Sequence, residues 1–262
     1  MLYAPFEYII LLMKIQVVKT RKFLPPKDNL WNLISKNIKS LEEKSILVIT
    51  SKVVSISEGR CVKITPQTDR DELAKKEAQL FLPRDFVPGK WFLHTIKNNL
   101  LVASAGIDKS NAGDYFILWP ENPGKSAQKI HGFLSKKYKV KNIGVIITDS
   151  HSVPLPRGLV GISIAYAGFQ PLRDYRGKKD IFGKELTMSQ TNIPDSLASA
   201  AVFTMGEGAE QTPIAIISDI ESKVKFVEGN GRGESFEVPM QEDLFYPFLK
   251  SVPWKKGEAK GN

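Results

Sequence analysis

The chain has 262 residues, enough for one large domain or two small lobes, each with a core of its own. Its 42% hydrophobic and 25% charged residues are those of an ordinary globular protein, and its single cysteine, Cys61, excludes an internal disulfide and a cysteine-built zinc site and fits a reducing, cytoplasmic setting. The net charge of +9 would suit nucleic acid, an anionic membrane surface or a small polyanion, but the lysines are scattered, with only short clusters at "SKKYKVK" and "RGKKD", so most read as solvated surface and the excess suits a phosphate-bearing substrate.

From the amino terminus, "MLYAPFEYIILLM" is apolar but shorter than the roughly 20 residues of a spanning helix. It lacks a basic start and a small-residue cleavage site, so neither a membrane anchor nor a signal peptide is expected. Residues 1–12 read as an apolar extension, 13–250 as one unit without a marked internal boundary, and 251–262 as a polar tail, whose end "KKGEAKGN" is expected to fray. Strands are expected at "MKIQVV", "SILVIT", "NLLVAS", "NIGVIITD", "GISIAYAG" and "PIAIIS", runs rich in Ile and Val and bounded by turn formers. Helices are expected at "DNLWNLISKNIKSL", with Asp28 as N-cap, and at "RDELAKKEAQLFL", "GKSAQKIHGFLSKKY" and "PDSLASAAVFTM", the last stopping at Gly206. The mixture predicts an α+β fold.

Three acid-bearing loops stand out. In "SAGIDKSNAG" a strand runs into Asp108 and Asn111. In "GVIITDSHSV" a buried strand empties into Asp149, Ser150 and His151. In "FTMGEGAEQTP" Glu207 sits between Gly206 and Gly208, which let backbone amides approach a ligand closely. Each alone reads as a turn or cap. Together they suit hard divalent cations, which take oxygen ligands and share them with nucleotide phosphates. Two such ions clamp a phosphoryl transfer. The histidines His94, His131 and His151 have no HxxxH or HExxH spacing, and "EGNGRGESFE" lacks the Lys-Ser/Thr and helix of a phosphate loop.

In order, "TSKVVSISEGR", "SAGIDKSNAG", "GVIITDS", "PRGLVGISIAYAG", "GKKDIFGKEL" and "FTMGEGAEQTPIAII" resemble the motifs of the coenzyme F-420-0:L-glutamate ligase (γ-glutamyl ligase) family, over about residues 13–217. The resemblance implies an intertwined homodimer of two-lobed α+β subunits. It implies a ligase that uses GTP (ATP is not excluded) and two Mg²⁺ or Mn²⁺ ions to add L-glutamate to the deazaflavin precursor F-420-0 or, in some relatives, to a folate. It places one metal on Asp108 and Asp149 and a second on Ser150, where the family usually has Thr, and Glu207. It places nucleotide contacts on Ser51, Lys52, Asn111 and the turn Met205, Gly206, Glu207, Gly208, Ala209, Glu210, Gln211 and Thr212, with a looser match at Phe23, Leu24 and Pro25.

The chain departs from the family pattern twice. Ile56 stands where the family has a Lys, and "TDSHSV" replaces "TDTNGR", which puts His151 and Ser152 beside the metal region. The second change tilts the expected acceptor toward a folate-like molecule. The family chemistry transfers the γ-phosphoryl group of GTP to the acceptor carboxylate and lets the glutamate amine attack the acyl phosphate. Arg157, Arg173 and His151 are candidates for holding the carboxylates or the acceptor, the arginines because a guanidinium binds a carboxylate bidentately. A non-catalytic nucleotide-binding relative and, on charge alone, a basic nucleic-acid-binding protein are the rival readings. Neither a nucleic acid nor a membrane is the expected partner.

Overall fold

The β-branched runs pair edge to edge. In a computed structural model, which describes residues 13–227 and 237–259, the chain runs β1 (Lys14–Val18), α1 (Leu30–Asn37), β2 (Ser45–Thr50), α2 (Ser51–Glu58), β3 (Cys61–Lys63), α3 (Arg70–Glu77), β4 (Leu80–Leu82), β5 (His94–Lys97), β6 (Leu100–Ala103), β7 (Tyr115–Ile117), α4 (Pro123–Tyr138), β8 (Ile143–His151), β9 (Val160–Ala167), β10 (Leu172–Asp174), β11 (Gln190–Asn192), α5 (Ile193–Met205), β12 (Ile214–Ser218), α6 (Tyr246–Leu249) and β13 (Lys255–Lys256). The expected extension 1–12 lies outside the described residues.

The main sheet has the order β1-β12-β2-β8-β9, with β2 and β8 parallel and the other pairs antiparallel. Alternation along β2 and β8 divides the core in two. Leu47, Ile49, Val145 and Ile147 face α1, α2 and α4 through Leu30, Leu33, Ile34, Val53, Ile130 and Leu134. Ile46, Val48 and Ile146 face α5 through Leu197, Ala198, Ala201 and Met205. The sheet is thus covered on both faces, which is why its strands read as continuous apolar runs. A smaller lobe carries the sheet β13-β4-β5-β6, the pair β3-β7 and helix α3 around its own core of Leu93, Ile107, Phe116 and Leu118. The architecture is α+β, as expected.

The structure corrects several local expectations. Helix α1 is capped by Asn29, whose side chain accepts from the Asn32 N–H at 2.9 Å. Asp28 is drawn away by Arg21, 2.6 Å distant. The stretch "RDELAKKEAQLFL" is helical only to Glu77, and Leu80–Leu82 turns into a strand against β5. β8 does not end at Thr148. It continues through Asp149, Ser150 and His151, paired with Ile162, Gly161 and Val160, after a register shift at Ile147/Thr148. Residues 255–259 are paired rather than frayed. β13 joins β4, and Gly257, Glu258 and Ala259 donate to the carbonyls of Gln79, Lys75 and Ala78. Gly257 is required there, because a Cβ would lie 2.0 Å from the Ala78 oxygen.

Two small residues of α5, Ala198 and Ala201, pack within the subunit. Ala198 and Ala201 are fully buried against β9, where the Gly161 Cα faces the Ala198 carbonyl so closely that an added Cβ would come within 2.5 Å of it.

Candidate active site

Where the carboxyl end of β8 meets the start of α2 and the turn after α5, the main sheet and the smaller lobe enclose a cavity of about 720 Å³. Every residue that the motifs assigned to nucleotide or metal lines it: Phe23 to Pro25, Ser51, Lys52, Asp108, Asn111, Asp149, Ser150 and Met205 to Thr212. His151, Arg157 and Arg173 do not. His151 turns to the Leu101 backbone, which is hydrogen-bonded to its imidazole. Burial pushes its pKa down, against the opposing pull of Asp195 and that hydrogen bond. Arg157 is exposed in the β8–β9 loop, and Arg173 lies over the Tyr175 ring at 5.0 Å.

Strand geometry explains why adjacent residues serve different neighbours. Successive side chains on β8 point to opposite faces. Asp149 shares the face of Ile147 and accepts a hydrogen bond from the Trp119 indole N–H. Ser150 faces the α5 side, where its Oγ lies 3.3 Å from Glu207 Oε2. Glu207 is presented there because α5 stops at Gly206, whose φ of 81° ends the helix without a Cβ penalty. Asn111, itself at φ 52°, reaches across and donates from Nδ2 to the Gly208 carbonyl at 2.9 Å. That bond ties the smaller lobe to the glycine turn.

The electrostatics follow from these placements. Burial raises Asp108, but Lys52, at 2.7 Å, and the amide and hydroxyl of Ser110 outweigh it and hold the carboxyl below the usual carboxylate range. Asp149 has no such cation beside it. Although it borders the cavity, its carboxyl is packed closely enough that desolvation, reinforced by the negative Asp108, raises it to about 6 against the hydrogen bonds from Trp119 and the Ser150 amide. The charge of Lys52, which is paired with Asp108, also lowers it but does not offset the burial. Among the described residues no three His, Cys, Asp or Glu side chains converge as a metal cage. The acids instead stand as two couples, Asp108 with Asp149 and Glu207 with the Ser150 hydroxyl.

The start of α2 forms another wall. Thr50 precedes it without a side-chain capping bond, and no acidic residue occupies its first turn, so its leading N–H groups are left for an anion. Ile56 is 1% exposed, packed with Ala112 and Ile117 and reaching the cavity floor. Lys52 lies one turn earlier on the same helical face, where it supplies a cation. Lys22 and Trp119 are among the lining residues that sequence reading misses, with Asp114, Tyr115, Ile117 and Leu118. Lys22 has no motif around it. Trp119 stands at the end of a short apolar strand 30 residues before Asp149, and only its isolation beside Pro120 marks it.

An α+β scaffold whose cleft is lined by acids, a glycine turn and a helix start has the form of a small-molecule-binding enzyme. The chain belongs to the F420-0:Gamma-glutamyl ligase family, whose sequence profile matches residues 19–219. It is an amide-bond-forming ligase. It is 38% identical over 218 residues to the coenzyme F420:L-glutamate ligase of Methanocaldococcus jannaschii, covering 78% of this chain and 86% of that one. To the proteins of that same description in Methanosarcina mazei and Methanopyrus kandleri it is 34% identical over 259 residues and 30% over 250, covering 93% and 89% of this chain and 100% and 97% of theirs. Among the described residues no helix is long and apolar enough to cross a membrane.

Proposed function

We propose that the protein joins L-glutamate to the coenzyme precursor F420-0 in a GTP- and divalent-metal-dependent reaction that passes through an acyl phosphate. The observation that carries this reading is the convergence of both acid couples with the 205–212 turn and the α2 start on one cavity. The relatives' names favour the deazaflavin acceptor over the folate-like one. The position of His151 outside the cavity removes the main reason for expecting a changed acceptor pocket.

The α2 amides, Lys52 and the glycine turn bind and orient the triphosphate, with Lys52 taking the place of the cation lost at Ile56. An oxygen of the acceptor carboxylate attacks the γ-phosphorus, the bond to the β–γ bridging oxygen breaks, and GDP leaves. The glutamate amino nitrogen then attacks the acyl carbon, phosphate leaves with the electron pair, and the nitrogen loses a proton to give the amide. The donor set fits Mg²⁺ or Mn²⁺, which favour carboxylate and hydroxyl oxygen; Asp108 with Asp149 and Ser150 with Glu207 would hold them. Bound there, the ions supply the positive charge that offsets charge shifting between phosphate oxygens.

Incubation with GTP, Mn²⁺, glutamate and F420-0 is expected to add one or more glutamyl units by mass, with parallel arms using ATP or a folate showing less product. GTP binding measured calorimetrically is expected to weaken in excess chelator, because Asp149 and Glu207 would then face the phosphates with no cation paired to either, and Asp108 with Lys52 alone. Equal binding with and without chelator refutes the metal assignment. Binding without turnover identifies a non-catalytic relative.

The functional unit is proposed to be a homodimer. Leu155, Ile181, Phe182 and Met188, in the segments flanking β9 and β10, and Phe203 on the outer face of α5 are between 76% and 102% exposed. Large apolar side chains of that number are costly to leave in water, and a second copy is the occupant that family resemblance names. Light scattering at micromolar concentration is expected to give twice the chain mass, and a monomer there counts against the proposal.

A further inference from the structure

We propose that Trp119 is a positioning residue whose indole N–H orients the Asp149 carboxylate, and that the buried Glu77–Lys97–Arg60 ion cluster of the smaller lobe holds the indole in place. This rests on the reading of Asp149 as a cation ligand, and the test below separates the two.

Trp119 is 2% exposed and donates from Nε1 to Asp149 Oδ2. Oδ1 accepts the Ser150 backbone N–H at 2.9 Å. With one donor on each oxygen the plane of the carboxylate is fixed, and the remaining lone pairs are left for a ligand. The indole itself has little freedom. Gly106 lies against it at φ 73°, and a Cβ there would sit 2.1 Å from Trp119 Nε1. Lys97 Nζ stands 5.6 Å from the ring centroid, within cation–π range, on a side chain only 8% exposed. Glu77 holds Lys97 at 2.6 Å and Arg60 at 2.6 Å, and Arg60 Nε donates to the Trp119 carbonyl at 3.1 Å. Ring and backbone of Trp119 are therefore anchored to one carboxylate, although none of the three ions lines the cavity. Partners that orient a metal ligand in this way are worth about 10–100-fold in metal affinity.

The test uses the whole chain and two readouts. The protein has four tryptophans, so its ¹⁵N spectrum carries few indole N–H signals, and the one missing in Trp119→Phe is that of Trp119. This signal is expected to move upfield in Asp149→Asn, where a neutral acceptor replaces a charged one. Titration of the metal alone, as Mn²⁺, at a temperature where both proteins are folded is expected to show a Kd about 10–100-fold higher in Trp119→Phe than in the parent. An indole signal indifferent to Asp149→Asn overturns the proposal. So does an unchanged Mn²⁺ affinity in Trp119→Phe. If the parent chain binds no Mn²⁺, the cation reading falls and the indole response alone decides the orientation. Should Trp119→Phe fail to fold, the indole signal that moves in Asp149→Asn is taken as that of Trp119, and Lys97→Met must shift it and weaken Mn²⁺ binding; no change in either, or no indole signal that moves in Asp149→Asn, overturns the proposal.

Discussion

Replacing Glu207 with glutamine is expected to lower turnover by about a hundredfold or more with every acceptor, while leaving the fold intact. Removal of one charge-stabilising group from a phosphoryl-transfer site costs on that order. The structure makes the substitution a clean one. Glu207 is exposed, follows the end of α5, and among the described residues meets the Ser150 side chain at 3.3 Å. An isosteric amide at such a position changes stability by roughly 0.5 kcal/mol or less. Loss of turnover would therefore report loss of negative charge. Ser150→Ala removes a neutral ligand from the same couple and is expected to cost less than Glu207→Gln. Steady-state kinetics with a melting curve for each variant check the order. A fully active Glu207→Gln protein would end the pairing of Glu207 with a cation.

The second large effect is expected in stability, at Glu77. Glu77→Gln leaves Lys97 as a buried ammonium without its carboxylate, a change that costs about 3–5 kcal/mol when an ion pair is broken in a protein interior. Lys97→Met keeps the stem and leaves Glu77 paired with Arg60, so it should cost distinctly less. The two partners experience the pair differently. Burial pushes the Lys97 ammonium down despite Glu77, whereas burial raises Glu77 but is outweighed by Lys97 and Arg60, leaving the carboxyl below its ordinary range. The carboxylate has two cations and the ammonium only one anion, which accounts for the contrast. Because the folded pKa of Glu77 is depressed, its contribution is present above the unfolded value, about 4.3, and is lost as pH falls through the lower folded value. Urea unfolding at neutral pH and at successively lower pH should show the gap between parent and Glu77→Gln closing with acid. A pH-independent gap, or a larger loss in Lys97→Met, contradicts this account.

What the sequence discloses of this molecule depends on how local the cause is. The six apolar runs are strands because both faces of the main sheet are covered, and such runs need no knowledge of their partners. Helix α2 goes unread. "SKVVSISE" is rich in β-branched residues and serine, and it is helical because Val53, Val54 and Ile56 pack inward and Gly59 at φ 75° closes it. The break after Glu77 is likewise a tertiary effect, in which pairing with β5 and β13 overrides a helical pattern. Of the site, the residues assigned to nucleotide or metal all reach the cavity, since the motifs that carry most of them sit at element ends that meet there, whereas "PRGLVGISIAYAG" and "GKKDIFGKEL" contribute none. Arg157 and Arg173 are candidates by chemistry alone, with no positional signal, and they lie outside the cavity. Trp119 belongs to no motif. Its contact with Asp149 joins residues 30 apart in the chain, which no local pattern encodes.

The strand order has a consequence for how the site comes into being. β12, made near residue 218, lies between β1 and β2, the first two strands synthesised. Until it emerges from the ribosome, β2 has an open edge on that side, and β1 has no neighbour in the sheet. The Glu207 turn joins α5 to β12, so its carboxylate arrives opposite Ser150 only as that last slot is filled. Ligand binding is thus coupled to the longest-range pairing in the main sheet, the kind that forms late because its loop-closure entropy must be met first. A nascent chain halted before β12 would carry Asp108 and Asp149 but no assembled cleft.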